Sequence, residues 1–160
     1  MIRASHLNGL SPAEALRELT QCCGARQWAE AMVARRPFVS EAAVLDASAA
    51  CFAALTDDDW REAFRHHPKI GDLGSLRLKF AGQEQGGVAA APEATLSALA
   101  AGNRAYEDRH GFIFIVCATG KSAGEMLALL MARTFNDTAT ELRHAAAEQR
   151  KITALRLEKL

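Results

Sequence analysis

Apolar positions recur at three- and four-residue spacing along most of this chain, and the segments that carry them open on helix-starting residues. Ser11-Pro12-Ala13-Glu14 has the form of a capping box with proline at the first helical position. It predicts a helix running to about Cys22, with Gly24 as its stop. A shorter helix with Trp28, Ala31, Met32 and Ala34 follows and ends before Pro37. Ser40 caps a run in which Ala43, Leu45, Ala50 and Leu55 fall near helical spacing. Thr56-Asp57-Asp58-Asp59 places carboxylates where a helix dipole welcomes them. The helix they open carries Trp60, Ala63 and Phe64 and delivers His66 and His67 at its end.

The second half reads similarly. Leu73 to Phe80 reads as one or two helical turns, and Gly82, Gly86 and Gly87 mark bends. Pro92 to Arg109 reads as a long amphipathic helix with Leu96, Leu99, Ala100, Asn103 and Tyr106 near one face, ended by Gly111. Phe112 to Ala118 is the one strand-like run. A single strand makes no sheet, so it is read as a buried extended segment crossing the core, with its backbone amides and carbonyls available to a ligand. Ser122-Ala123-Gly124-Glu125 and Thr138-Ala139-Thr140-Glu141 have the form of two further capping boxes. The first opens a helix to about Thr134. The second opens a last helix reaching toward Leu160, with Leu142, Ala145, Ile152, Leu155 and Arg156. The expectation is an all-α fold, one helical-bundle domain over residues 1–160.

Composition narrows the classes of function. Nineteen basic and nineteen acidic residues cancel, which argues against a nucleic-acid or anionic-membrane footprint. No apolar run approaches the ~20 residues that span a bilayer. The first residues lack the apolar core of a signal peptide, so a cytoplasmic setting is expected. Cys22, Cys23, Cys51 and Cys117 form no Cys-x-x-Cys pair and are read as buried, reduced thiols. Two adjacent histidines match no common zinc spacing, so no metal is expected.

Candidate chemistry centres on His67-Pro68-Lys69-Ile70-Gly71-Asp72. Proline disfavours helical geometry in the residue before it, so His67 should stand at a helix-to-loop corner with its ring off the helix face. Histidine is the side chain best suited to proton exchange near neutral pH. A helix-terminal histidine that only complements the dipole is the structural alternative. His66, its neighbour, is expected at the surface. Glu84-Gln85 pairs an acceptor with a donor–acceptor amide, suited to a ligand rich in N–H and C=O groups, or to a solvated loop. Thr119-Gly120-Lys121-Ser122 invites a phosphate-loop reading, but position 115 is isoleucine where that loop needs glycine. Arg156 either lays its stem over apolar surface or turns its guanidinium toward an anionic ligand.

In combination and order these segments resemble the OHCU decarboxylase family. The resemblance runs through Ala4-Ser5-His6-Leu7-Asn8, the His-Pro-Lys-Ile-Gly-Asp motif, Glu84-Gln85, Asn103-Arg104-Ala105-Tyr106, the Gly111-to-Ser122 segment, Lys151-Ile152 and Arg156-Leu157. It implies an all-helical domain, usually a homodimer, without metal or organic cofactor. The implied reaction is decarboxylation of the small molecule 2-oxo-4-hydroxy-4-carboxy-5-ureidoimidazoline to (S)-allantoin in urate catabolism. By the same resemblance His67 and Glu84 are the catalytic residues. Pro68, Gln85, Phe114, Ile115, Val116 and Arg156 would contact substrate. One departure stands out. Family members carry a longer stretch before the glutamate, with a serine three residues ahead of it; here that place is Ala81. A non-catalytic helical interaction module and a thiol-dependent enzyme using Cys117 are the competing classes.

Overall fold

The computed structural model describes residues 4–67 and 92–160, and among them every regular element is a helix. Eight helices are present among the described residues: α1 (Ala4–Gly9), α2 (Pro12–Cys22), α3 (Arg26–Ala34), α4 (Glu41–Ala53), α5 (Asp57–Arg65), α6 (Glu93–His110), α7 (Ala123–Thr134) and α8 (Thr138–Leu157). The described residues divide into two compact units. One comprises 4–67 with 146–160 and the other 92–145, so α8 begins in the second unit and ends in the first.

Local chemistry sets the helix starts. Ser11 with Glu14, Thr56 with Asp59 and Ser122 with Glu125 each form both halves of a capping box, which satisfies two amides that no helical carbonyl reaches. Ser40 caps α4 through the Ala43 N–H. Glycine at position 111 takes φ 78°, the left-handed turn that closes α6 at little cost.

The expected capping box at Thr138-Glu141 does not form. Asp137 caps α8 instead, accepting the Thr140 N–H and the Thr140 hydroxyl, both at 2.8 Å. Glu141 is then released to point inward. The helix also stops at Leu157 rather than continuing to Leu160. Its buried line is Leu142, Ala145, Ala146, Gln149, Thr153 and Leu157. Ile152 and Leu155, expected on that face, are only half-buried.

In the first unit α3 lies against α2, α4 and α5, and Leu7, Leu19, Trp28, Met32, Val44 and Phe64 fill the interior. Each such side chain contributes about 1.5–3 kcal/mol by leaving water. The Trp28 indole donates to the Ser48 carbonyl, so its one polar atom is not stranded. Arg36 Nη1 donates to the Leu7 and Leu10 carbonyls at 2.7 Å, covering the end of α1. In the second unit α6 packs along α7. A Cβ at Gly102 would sit 2.7 Å from Leu130 Cδ2 and would displace the tip of that side chain.

Candidate active site

Helix α5 ends as the His-Pro step requires. Its first turn is acidic and its last carries Arg65, both favourable to the dipole. Two short turns close it, His66 N–H to the Ala63 carbonyl and His67 N–H to the Phe64 carbonyl. His66 is exposed, as expected, while His67 is half-buried. The root of the His66 ring leans on Gly24, where an added Cβ would lie 2.2 Å from His66 Cγ.

The His67 ring meets a partner from α8. Its Nε2 lies 2.5 Å from Gln149 Oε1. Gln149 is fully buried, and its Nε2 donates to Thr153 Oγ1 at 3.2 Å. Thr153 is itself buried. A polar chain thus runs from the half-buried imidazole into the core. Burial pushes the Cys23 thiol up, so it stays protonated at neutral pH.

Arg156 lies one helical turn beyond Ile152. Its Nη1 is 3.4 Å from the Cys22 carbonyl at the end of α2, and the residue is half-buried. That contact is long for a hydrogen bond and leaves the planar fork little constrained. Burial pushes the neighbouring Cys22 thiol up to about 11, with the Arg156 charge pulling the other way. All four cysteines are free and buried, which does not suit a nucleophilic thiolate.

The second unit carries the segment at 112–118. It forms no helix or strand, and Phe112 lies in a bend. Phe112, Ile115 and Cys117 are buried, while Phe114 and Val116 are half-buried. The Ile115 carbonyl accepts Arg133 Nη1 at 2.7 Å, and the Arg133 guanidinium also stacks 4.6 Å above the Phe114 ring. Arg133 Nε donates to Glu141 Oε1 at 2.8 Å. Tyr106 donates its hydroxyl to the same oxygen, and Asn136 donates to Oε2 at 2.9 Å. Burial works to raise the Glu141 carboxyl, but the Asn136, Tyr106 and Arg133 contacts outweigh it and hold it below its ordinary value. The Tyr106 hydroxyl is pushed up by its burial and by the Glu141 bond. His110 uses both ring nitrogens, at Thr138 Oγ1 and the Thr134 carbonyl. Lys121 folds back to donate to the Cys117 carbonyl at 2.8 Å, the opposite of a lysine reaching for phosphate.

The first unit therefore holds His67 and Arg156, and the second holds Phe114, Ile115 and Val116. Pro68, Ala81, Glu84 and Gln85 lie outside the described residues. Among the described residues no group of three His, Cys, Asp or Glu is placed to hold a metal ion, and no helix is long and apolar enough to cross a membrane. Gln149, Thr153 and Arg133 escaped the reading of the sequence, and Glu141 was read there only as part of a cap. Their signal was there as polar residues at core positions, since Gln149 and Thr153 continue the line of Leu142 and Ala145 toward Leu157 at helical spacing.

The OHCU decarboxylase family model matches residues 8–158. The uric acid degradation bifunctional protein TTL of Arabidopsis thaliana is 38% identical over 145 residues, which is 87% of this chain and 45% of that protein. The uric acid degradation bifunctional protein of Bacillus sp. (strain TB-90) is 26% identical over 164 residues, spanning 100% of this chain and 32% of that protein. The chain spans less than half the length of these two curated relatives. A crystal structure of OHCU decarboxylase in the presence of (S)-allantoin aligns with TM-score 0.75 and 35% identity over 89% of this chain and 95% of that one. A crystal structure of (S)-allantoin synthase aligns with TM-score 0.75 over 99% of this chain and 53% of that one. At 21% identity, that second likeness concerns the fold alone.

Proposed function

The chain belongs to the OHCU decarboxylase family, and from that premise we propose that it decarboxylates 2-oxo-4-hydroxy-4-carboxy-5-ureidoimidazoline to (S)-allantoin in urate degradation. The observation that carries the reading is the setting of His67. Its ring stands just past the end of α5 and is held through Nε2 by a fully buried amide.

The chemistry suits a protein that supplies only orientation and proton transfer. Loss of carbon dioxide leaves an electron pair, and the neighbouring C=N of the substrate ring accepts it, so the substrate supplies its own electron sink. His67 handles the proton at the 4-hydroxyl. The guanidinium of Arg156, held by one long contact, is available to orient a ring carbonyl or offset negative charge. Glu84 and Gln85 hold the ureido end. Pro68, Phe114, Ile115 and Val116 complete the substrate contacts in this reading. The Ile115 carbonyl is engaged by Arg133, which leaves its second lone pair and the Ile115 N–H for the proposed contact. A homodimer and a cytoplasmic setting belong to the same proposal, and sedimentation tests the first.

The test supplies freshly made substrate and follows the optical rotation of the allantoin formed. Accelerated formation of the S enantiomer is expected, unaffected by chelator. Racemic product at the uncatalysed rate would overturn the proposal.

A further inference from the structure

The hydrogen-bond chain behind His67 has a direction. Thr153 is buried and offers one hydroxyl proton. A hydroxyl oxygen also accepts through its lone pairs. The Thr153 oxygen then accepts from Gln149 Nε2, which turns the amide carbonyl toward the imidazole. His67 Nε2 faces that carbonyl at 2.5 Å. A carbonyl can only accept, so Nε2 must carry a hydrogen.

The arrangement also suits a ring that changes charge. A carbonyl accepts from Nε2–H whether the ring is neutral or cationic, whereas an amide N–H in its place would oppose the cation. Gln149 has no exposure to solvent, so water cannot take over its contact, and its own turn is fixed by Thr153 four residues along the same helix face.

We propose that Gln149, anchored by Thr153, is a positioning residue that holds His67 in the Nε2–H tautomer and thereby assigns the exchanged proton to Nδ1. This rests on the reading of His67 as the acid–base group, but the tautomer itself is measurable without turnover.

Nitrogen-15 labelling of the histidines in the full chain, with long-range proton–nitrogen correlation above the titration of the ring, reads the tautomer directly. The wild-type protein should show a protonated Nε2 and an unprotonated Nδ1 at His67. Gln149→Leu should lose that preference, and Gln149→Glu, which restores an acceptor, should regain it. Thr153→Val keeps Gln149 in place but removes its anchor, and should give a mixture of the two forms. In the decarboxylation assay Gln149→Leu should lower kcat roughly 10–100-fold, the range expected when a buried hydrogen bond to a charged group is lost, with KM little changed.

An Nδ1–H ring in the wild-type protein would overturn the proposal whatever the variants do, so a variant that fails to fold does not shield it. A Gln149→Leu ring that keeps the Nε2–H form would overturn it equally. An Nε2–H ring in a protein that does not decarboxylate would uphold the positioning role and retire the functional reading. Turnover with an Nδ1–H ring would do the reverse.

Discussion

The two units each bury a polar cluster, and the clusters are built on opposite principles. In the second unit Glu141 has three side-chain donors and no exposure, and it is locked in its charged form. In the first unit the chain from His67 through Gln149 to Thr153 contains no fixed charge and ends at a half-buried ring. A buried ion ringed by donors holds one protonation state and serves architecture. A neutral chain that ends at a half-buried imidazole has no such fixed charge, and that is the setting an acid–base role for His67 would use.

The sharpest break in that comparison is His67→Asn. Turnover should fall by about 10²–10⁴-fold, as for a lost acid–base group, while the thermal midpoint stays close to wild type. A large loss of stability with intact turnover would put His67 in the architectural class. Glu141→Gln should do the opposite. Removing one partner of a buried ion pair costs about 3–5 kcal/mol, readable as a lower denaturation midpoint, because Arg133 is left charged at 11% side-chain exposure. Acid should expose the same cluster. The folded Glu141 value lies below its ordinary 4.5, so its stabilisation is fully present above pH 4.5 and is lost as pH falls through the lowered folded value. Urea titrations below that point should show a shallower pH slope in Glu141→Gln than in wild type.

Smaller effects refine the first unit. Arg156→Ala should weaken allantoin binding by about tenfold, and Arg156→Lys should recover only part, since lysine keeps the charge but not the fork. Full recovery by lysine in a calorimetric titration would reduce Arg156 to a diffuse charge. Gly24→Ala should cost about 1–3 kcal/mol by overpacking against the root of His66. His66→Asn, by contrast, should stay within about 0.5 kcal/mol and leave turnover unchanged. Equal losses at His66 and His67 would erase the distinction between the two histidines.

Local rules wrote most of the fold into the sequence. Capping residues and proline fixed the starts of α2, α4, α5 and α7, and Gly111 fixed the end of α6, because each acts within a few residues of itself. The corner at His67 was legible for the same reason. What failed was long-range. Thr138-Glu141 has the form of a capping box, but Glu141 finds Tyr106 thirty-five residues away and Arg133 eight residues away, and Asp137 takes over the cap. Gln149 and Thr153 were not singled out because helical periodicity scores residue type, whereas a buried amide is tolerated only when a distant partner satisfies it. The run at 112–118 was placed in the interior, and Phe112, Ile115 and Cys117 are buried there. That Arg133 would reach its Ile115 carbonyl was not written in any local spacing.

The four sheltered thiols give this chain an internal clock. Cys22, Cys23 and Cys51 lie in the first unit and Cys117 in the second. An alkylating reagent reaches a buried sulfur only while its surroundings are open. Pulse labelling followed by peptide mass analysis therefore times the breathing of each unit separately, with no added probe and no mutation. If the Cys117 peptide gains label in step with those of Cys22 and Cys23, the units open as one cooperative body. If it runs ahead or behind, each keeps its own schedule.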